Sequence, residues 1–192
     1  MPASSVPLDR RRFVEALPGL ALLPLLDDFP AGSGRARQTG VPRLFEPFTE
    51  EEEQAIEASA MARAIAALSG QGWSCAESVC LAGLRHLERP ETEAHLAMNF
   101  GGGLGQGELC GLLTGAMMVL GAAAGAKGGD RNAQRRRLRA ATDPFWRWWA
   151  DRAPLACREL RPLYNGPEEY RRMAQRVAAR LEELIAAMAP GE

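Results

Sequence analysis

An uncharged segment near the middle of the chain restricts the possible folds more than any other part of the sequence. Residues 109–126 contain no Asp, Glu, Lys or Arg in 18 positions, a length that begins to be enough for a membrane-spanning helix. Four glycines and several alanines, however, make the segment only mildly apolar, and such small residues favour close packing between helices. The segment therefore predicts the central helix of a bundle and no stable membrane span in the mature protein.

Capping signals and helical periodicity predict further helices on both sides. Thr49 followed by four glutamates, and Ser74 with Glu77 three positions later, are typical of helix N-termini. No stretch alternates between polar and apolar residues as a half-buried strand does. The sequence therefore predicts an all-α fold, a single-domain bundle of about five to six helices with a glycine-rich loop before the central one. The predicted ranges are 49–69, 74–87, 90–100, 108–126, 132–150 and 167–188.

The composition excludes several classes of protein. The 192 residues fit one domain, and a formal net charge of -1 gives no basic surplus for coating nucleic acid, so we expect no nucleic-acid partner. Two histidines are too few for a His-rich metal centre, and four cysteines are too few for a disulfide-stapled miniature protein. Phe145 and Trp149 follow a basic run at 131–139 and lie one turn apart, which predicts core anchors beside a solvated rim.

The N-terminus resembles a bacterial twin-arginine export signal. Arg10 and Arg11 stand two positions ahead of Phe13, and a mainly apolar run follows over 14–26. This pattern predicts a signal segment over 1–36, a linker or extended arm over 37–48 and a helical domain over 49–192. The predicted location is then the periplasm. The alternative is an N-terminal tail on a cytoplasmic protein.

A glycine-rich loop, 101–107, runs directly into the central helix. Successive glycines permit positive backbone dihedral angles and close approach of neighbouring backbone. Cys110 then falls in the first turn of the helix, where free amides and the helix dipole are expected to lower the pKa of its thiol. The alternative interpretation is a tight turn followed by a small buried cysteine.

Residues in and beside this loop are the candidates for contacting a cofactor. The loop lacks the strict spacing of a dinucleotide-binding motif, and no predicted strand precedes it. Thr114 lies one turn beyond Cys110 and could donate a hydrogen bond to its sulfur or to a bound ligand. The candidate cofactor-binding residues are Gly101, Gly102, Gly103, Gly105 and Thr114.

Four segments that follow one another along the chain resemble a known family. They are Gly72–Val79, Asn99–Gly105, Cys110–Ala116 and Cys157–Leu160. In this order they resemble the C-GCAxxG-C-C family of redox-active proteins, over roughly residues 55–188. The resemblance implies that the fold brings Cys75, Cys110 and Cys157 together, and that the protein is redox-active or binds a metal or cofactor.

The sequence is also similar to the helical part of split-Soret cytochromes, which carry c-type haem. No Cys-x-x-Cys-His motif occurs in this chain, so covalent attachment of haem has no support in the sequence.

Two positions depart from the family pattern. The final predicted helix contains no cysteine where the pattern has its last one, and Leu112 stands where a small residue is usual. Cys80 is the remaining cysteine, but five helical steps rotate it by about 140° from Cys75 around the helix axis. Cys80 is therefore predicted to face away from a site shared by Cys75, Cys110 and Cys157.

Three interpretations of the shared site remain open at the level of sequence. In the first, Cys110 attacks a disulfide or oxidant, Cys75 or Cys157 resolves the mixed disulfide, and an unidentified redox partner completes the cycle. In the second, the three sulfurs hold a metal ion or an iron–sulfur cluster, or the domain binds haem. In the third, the cysteines are structural, and the helical domain binds a partner without catalysis.

Overall fold

The computed structural model describes residues 46–188, which consist of helices and connecting loops with no β-strand, so the predicted all-α fold is confirmed. The predicted export signal, 1–36, lies outside the described residues, as does most of the predicted linker, 37–48. The α-helices are α1 (Glu50–Ala58), α2 (Ala60–Leu68), α3 (Cys75–His86), α4 (Gly111–Ala126), α5 (Arg131–Ala150), α6 (Cys157–Leu160) and α7 (Pro167–Ala186), and 3-10 helices cover Glu91–Phe100 and Arg161–Leu163.

The first predicted helix is two helices in the structure, because the helix is interrupted at Ser59. Its hydroxyl caps α2 by accepting a hydrogen bond from the Ala62 amide at 3.0 Å, and it donates to the Glu182 carboxylate of α7 at 2.6 Å. The Met61 amide donates to the same carboxylate at 2.9 Å. Burial opposes ionisation of Glu182, but these hydrogen bonds outweigh it and lower its pKa. A contact between α2 and α7 therefore sets the break.

Helix α4 lies at the centre of the bundle and packs against α3, α5 and α7, as predicted. Leu112, Leu113 and Leu120 are fully buried. Helix α3 approaches closely because Gly83 has no side chain: a Cβ there would lie 2.3 Å from a methyl carbon of Val119. Within residues 46–188, no helix has the length and apolar character needed to cross a membrane.

The helix predicted over residues 90–100 is a 3-10 helix, Glu91–Phe100, in the structure. It buries Ala94 and Ala97 in a small apolar cluster that includes residues of α3. A 3-10 helix has three residues per turn, so two alanines three positions apart share one face. The other two sides of this helix carry Leu96 and Met98, which are largely exposed.

Helix α5 anchors the core through two aromatic side chains. Phe145 and Trp149 are both fully buried, which confirms the prediction made from their spacing. The Trp149 indole nitrogen donates a hydrogen bond to the Pro154 carbonyl at 3.1 Å. This bond ties the end of α5 to the loop that leads into α6.

Candidate functional site

Cys75 is the first residue of α3, and a capping box fixes the start of that helix. The Ser74 hydroxyl accepts a hydrogen bond from the Glu77 amide at 3.4 Å, and the Glu77 carboxylate accepts one from the Ser74 amide at 3.0 Å. This pairing, predicted from the spacing, leaves Cys75 partly exposed while the next residue, Ala76, is fully buried. The thiol therefore sits at the boundary between the core and solvent.

A short antiparallel pairing brings Cys110 beside Cys157. The Cys110 amide donates to the Leu155 carbonyl at 2.8 Å, and the Cys157 amide donates to the Glu108 carbonyl at 2.6 Å, on either side of an isolated β-bridge. The Arg158 side chain adds an exposed ion pair with the Glu108 carboxylate. These contacts hold the start of α6 against the start of α4.

Two glycines make room for the cysteines. A Cβ at Gly111, the first residue of α4, would lie 2.2 Å from the Cys75 sulfur, so any side chain there would displace that sulfur. Gly103 has φ +67°, and a Cβ there would lie 2.8 Å from the Cβ of Cys157. The close approach and positive dihedral angles predicted for the glycine loop are therefore confirmed. A cofactor-binding role for Gly101, Gly102, Gly103 and Gly105 stays a prediction.

The structure thus brings Cys75, Cys110 and Cys157 together, and we refer to these residues as the cysteine cluster. Burial has the largest effect on the pKa of Cys110 and of Cys157 and raises both. The nearby Cys75 raises both pKa values further, and Cys157 also raises that of Cys110. All four cysteines of the chain are free thiols. The redox role assigned to the cluster remains to be tested.

Both tyrosines of the chain lie at the cysteine cluster. The Tyr170 side chain, in the first turn of α7, lies beside the Cys75 thiol. The Tyr170 and Tyr164 rings are in contact, with centroids 5.2 Å apart and planes at 46°. Burial raises the pKa of Tyr170 well above its ordinary value, and the neighbouring thiols raise it further, so the hydroxyl keeps its proton.

Sequence reasoning missed these two tyrosines. One signal was present, since the chain has two tyrosines among 192 residues and both lie within 13 positions after Cys157. That signal does not indicate a position beside Cys75, because this position depends on how α7 packs against the start of α3.

The prediction that Cys110 has a lowered pKa is wrong. Burial raises the pKa of Cys110 to about 12, although the amides of Leu112 and Leu113 at the start of α4 act in the opposite direction. Cys110 is 3% exposed, whereas Cys75 and Cys157 are partly exposed. Burial also raises the pKa of Cys157, while the positive charge of Arg161 lowers it. Cys110 therefore stays protonated and shielded at neutral pH.

Two other sequence expectations have clear outcomes. Cys80 lies in a separate apolar cluster with Leu81 and Leu84, which confirms that it faces away from Cys75. The Thr114 hydroxyl donates to the Gly111 carbonyl at 3.2 Å instead of to the Cys110 sulfur. Contact between Thr114 and a bound ligand stays a prediction.

The cysteine cluster does not fit a resident metal ion in this arrangement. Among residues 46–188, no group of three or more His, Cys, Asp and Glu side chains is placed so that it could hold a metal. The three sulfurs named as candidate ligands from sequence are neighbours, but they do not form a coordination site as they stand.

Comparison with known proteins identifies the family. Residues 73–189 match the model of a family described as "Putative redox-active protein (C_GCAxxG_C_C)". No curated protein and no solved structure matches the chain. The matched segment covers more than half of the 192 residues and includes all four cysteines. The chain therefore belongs to the C_GCAxxG_C_C family.

Proposed function

We propose that this protein exchanges thiols with disulfides, and that its reacting pair is Cys75 and Cys157. The observation that carries the proposal is the difference in exposure within the cysteine cluster. Cys75 and Cys157 are partly exposed, whereas Cys110 is 3% exposed. A substrate disulfide must touch the attacking sulfur, so it can reach Cys75 and Cys157 but not Cys110. This assignment replaces the attacking role that the sequence suggested for Cys110.

The proposed reaction consists of two exchanges. A thiolate of the pair attacks one sulfur of a substrate disulfide, the substrate S–S bond breaks, and the released thiolate takes a proton from water. The second thiol of the pair gives its proton to water and attacks the mixed disulfide, which releases the other half of the substrate. The substrate gains two electrons, and Cys75 and Cys157 become a disulfide that a redox partner must reduce.

Three features of the site support this chemistry. No disulfide joins the four cysteines in the structure, so a Cys75–Cys157 disulfide can form without breaking an existing one. The positive charge of Arg161 favours the thiolate form of Cys157 and partly offsets the effect of its burial. Membership of a family described as redox-active is consistent with a dithiol that cycles between reduced and oxidised forms.

The test is oxidation of the reduced full-length protein by glutathione disulfide, with the products mapped by peptide mass spectrometry. We expect one intramolecular disulfide between Cys75 and Cys157, with Cys110 and Cys80 still alkylatable after denaturation. Substitution of either Cys75 or Cys157 by Ser should stop the reaction at a mixed disulfide on the other thiol or abolish it. Cys80→Ser is the matched control, because Cys80 is a buried cysteine outside the cluster.

The proposal fails if Cys75→Ser and Cys157→Ser leave the rate of glutathione release unchanged. It also fails if the disulfide that forms joins Cys110 or Cys80. Metal, iron–sulfur or haem binding is the competing function, and the metal content and absorption spectrum of anaerobically purified protein address it. A stoichiometric metal that Cys75→Ser abolishes and Cys80→Ser retains would favour that function instead.

Export through the twin-arginine route is a second proposal, independent of the chemistry. An oxidising compartment would supply substrate disulfides for the exchange. Replacing Arg10 and Arg11 by Lys should retain the protein in the cytoplasm in a bacterial fractionation assay. The same replacement at Arg35 and Arg37, outside the paired motif, should not. Equal fractionation of the two double variants would refute the proposal.

A further inference from the structure

A cavity lies between α1, the end of α5 and α7, and no residue of the cysteine cluster lines it. Its volume is about 290 Å³, close to the lower end of the range for small-molecule sites. Ile56, Trp148 and Ala179 form an apolar wall. Three arginines also line this cavity, which we call the arginine cavity: Arg152, Arg176 and Arg180. Guanidinium groups beside an apolar wall are suited to an organic anion.

Two of the three arginines already pair with carboxylates that line the same cavity. Arg176 forms an ion pair with Glu52, and Arg180 forms one with Glu183 at 2.7 Å. The Arg176 guanidinium carbon also lies 4.0 Å from the centroid of the Phe48 ring, and the side chain is 5% exposed. These contacts hold the two arginines of α7 in place.

Arg152 differs from the other two arginines. Within residues 46–188, no carboxylate forms an ion pair with it. Its guanidinium donates one hydrogen bond, to the Trp148 carbonyl at 3.1 Å, and lies 5.2 Å from the centroid of the Trp148 ring. A guanidinium has five N–H donors, so this hydrogen bond leaves donors for an anion.

Positive charges lie close together at this cavity. Burial lowers the pKa of Arg176, Glu52 raises it, and the nearby Arg152 lowers it. Arg180 has a buried Nε that finds no hydrogen-bond partner in the described part of the chain. An anion bound at Arg152 would be attracted by Arg176 as well, and it would relieve the repulsion between the two guanidinium groups.

We propose that the arginine cavity binds a small organic anion, whose carboxylate or phosphate group pairs with Arg152 and whose apolar part lies against the apolar wall. A planar guanidinium matches the oxygens of either group, because it can donate two parallel hydrogen bonds. The inference does not depend on the proposed thiol–disulfide exchange, since its residues lie outside the cysteine cluster.

The test is isothermal titration calorimetry of the full-length protein with benzoate and with phenyl phosphate, and with benzyl alcohol as the uncharged control. We expect at least one anion to bind with a dissociation constant in the millimolar range or tighter, and benzyl alcohol not to bind. Arg152→Gln should weaken the binding by about tenfold or more. Arg147→Gln is the matched control and should leave it unchanged, because Arg147 is an exposed arginine of α5 outside the cavity.

A second pair of variants tests the cavity without removing a charge. Ala55 lines the cavity and is partly exposed, so Ala55→Leu should fill part of the space and weaken the binding while the protein stays folded. Ala58→Leu adds the same side chain to an exposed position of α1 that does not line the cavity and should have no effect.

The outcomes decide the proposal and the nature of the anion. Tighter binding of phenyl phosphate would assign a phosphate ligand, and tighter binding of benzoate would assign a carboxylate. The proposal is refuted if neither anion binds, or if benzyl alcohol binds as tightly as they do. It is also refuted if Arg147→Gln weakens the binding as much as Arg152→Gln, or if Ala55→Leu has no more effect than Ala58→Leu.

Discussion

Gly115 of α4 lies where α3 and α4 cross and leaves no space for a side chain. A Cβ at this position would lie 2.6 Å from the Ala76 carbonyl oxygen and 3.1 Å from the Cβ of Val79. Ordinary contacts of this kind are about 3.5 Å, so the helices would have to separate by nearly 1 Å. The oxygen belongs to the backbone and cannot rotate away. We expect Gly115→Ala to lower the free energy of unfolding by about 1–3 kcal/mol.

Gly121 provides a matched control on the same helix. No atom lies within 4 Å of a Cβ at this position, so the added methyl group meets open space. Alanine has a higher helix propensity than glycine, and Gly121→Ala should raise the free energy of unfolding by about 0.5–1 kcal/mol. Both variants add the same methyl group to one helix. Their difference, roughly 1.5–4 kcal/mol, therefore reports the contact with α3.

Urea unfolding followed by circular dichroism measures this difference. The dependence of unfolding free energy on urea should be equal in the two variants, because neither changes the surface exposed on unfolding. Equal stabilisation by Gly115→Ala and Gly121→Ala would show that α3 and α4 do not cross as closely as described. A change in the urea dependence of one variant would remove the basis for comparing them.

Three further predictions concern the cysteine cluster and the break between α1 and α2. Gly111→Ala should lower the melting temperature, because a Cβ there would lie 2.2 Å from the Cys75 sulfur and 3.0 Å from the backbone carbonyl oxygen of Phe100, and by displacing that sulfur it should slow exchange with glutathione disulfide by about tenfold or more. Glu182→Gln should lower the free energy of unfolding by about 1 kcal/mol at neutral pH. The pKa of Glu182 is lowered by folding from 4.5, so this deficit should shrink in urea titrations as pH falls below that value, and Glu183→Gln should change little. Folding raises the pKa of Cys110 from 9.0 to about 12, so above pH 9.0 its thiol ionises in the unfolded protein but not in the folded one. Cys110→Ala should therefore reduce the loss of unfolding free energy above pH 9.0. If this free energy falls with pH as steeply in the variant as in the wild type, the raised pKa is contradicted.

Local signals in the sequence identified most helix starts, and long-range contacts explain the rest. Thr49 and Ser74 begin helices through capping boxes whose partners lie three positions apart, so a short window contains both partners. The break at Ser59 depends on Glu182, which is 123 positions away. No local pattern contains that pairing, and the segment therefore looked like one continuous helix.

The convergence of the cysteines was predicted from the family resemblance, whereas its physical cause is visible only in the structure. The paired backbone at Glu108 and Cys157 joins segments 49 positions apart in the sequence. Gly103 of the loop was considered as a cofactor contact, yet it has a packing reason, since a side chain there would collide with Cys157; Gly111, the first residue of α4, is likewise needed beside Cys75. The run of glycines indicated that another part of the chain packs closely against this segment, but it did not indicate which residues do so.

The error over Cys110 shows which of two opposing effects dominates at a helix start. Free amides at the start of a helix favour a thiolate, and those of Leu112 and Leu113 do so here. The same position lies in the centre of the bundle, where burial disfavours any charge, and burial has the larger effect. Cys75 also starts a helix but is partly exposed at the edge of the core. Reactivity in this cluster is therefore expected to follow depth in the bundle rather than proximity to a helix N-terminus.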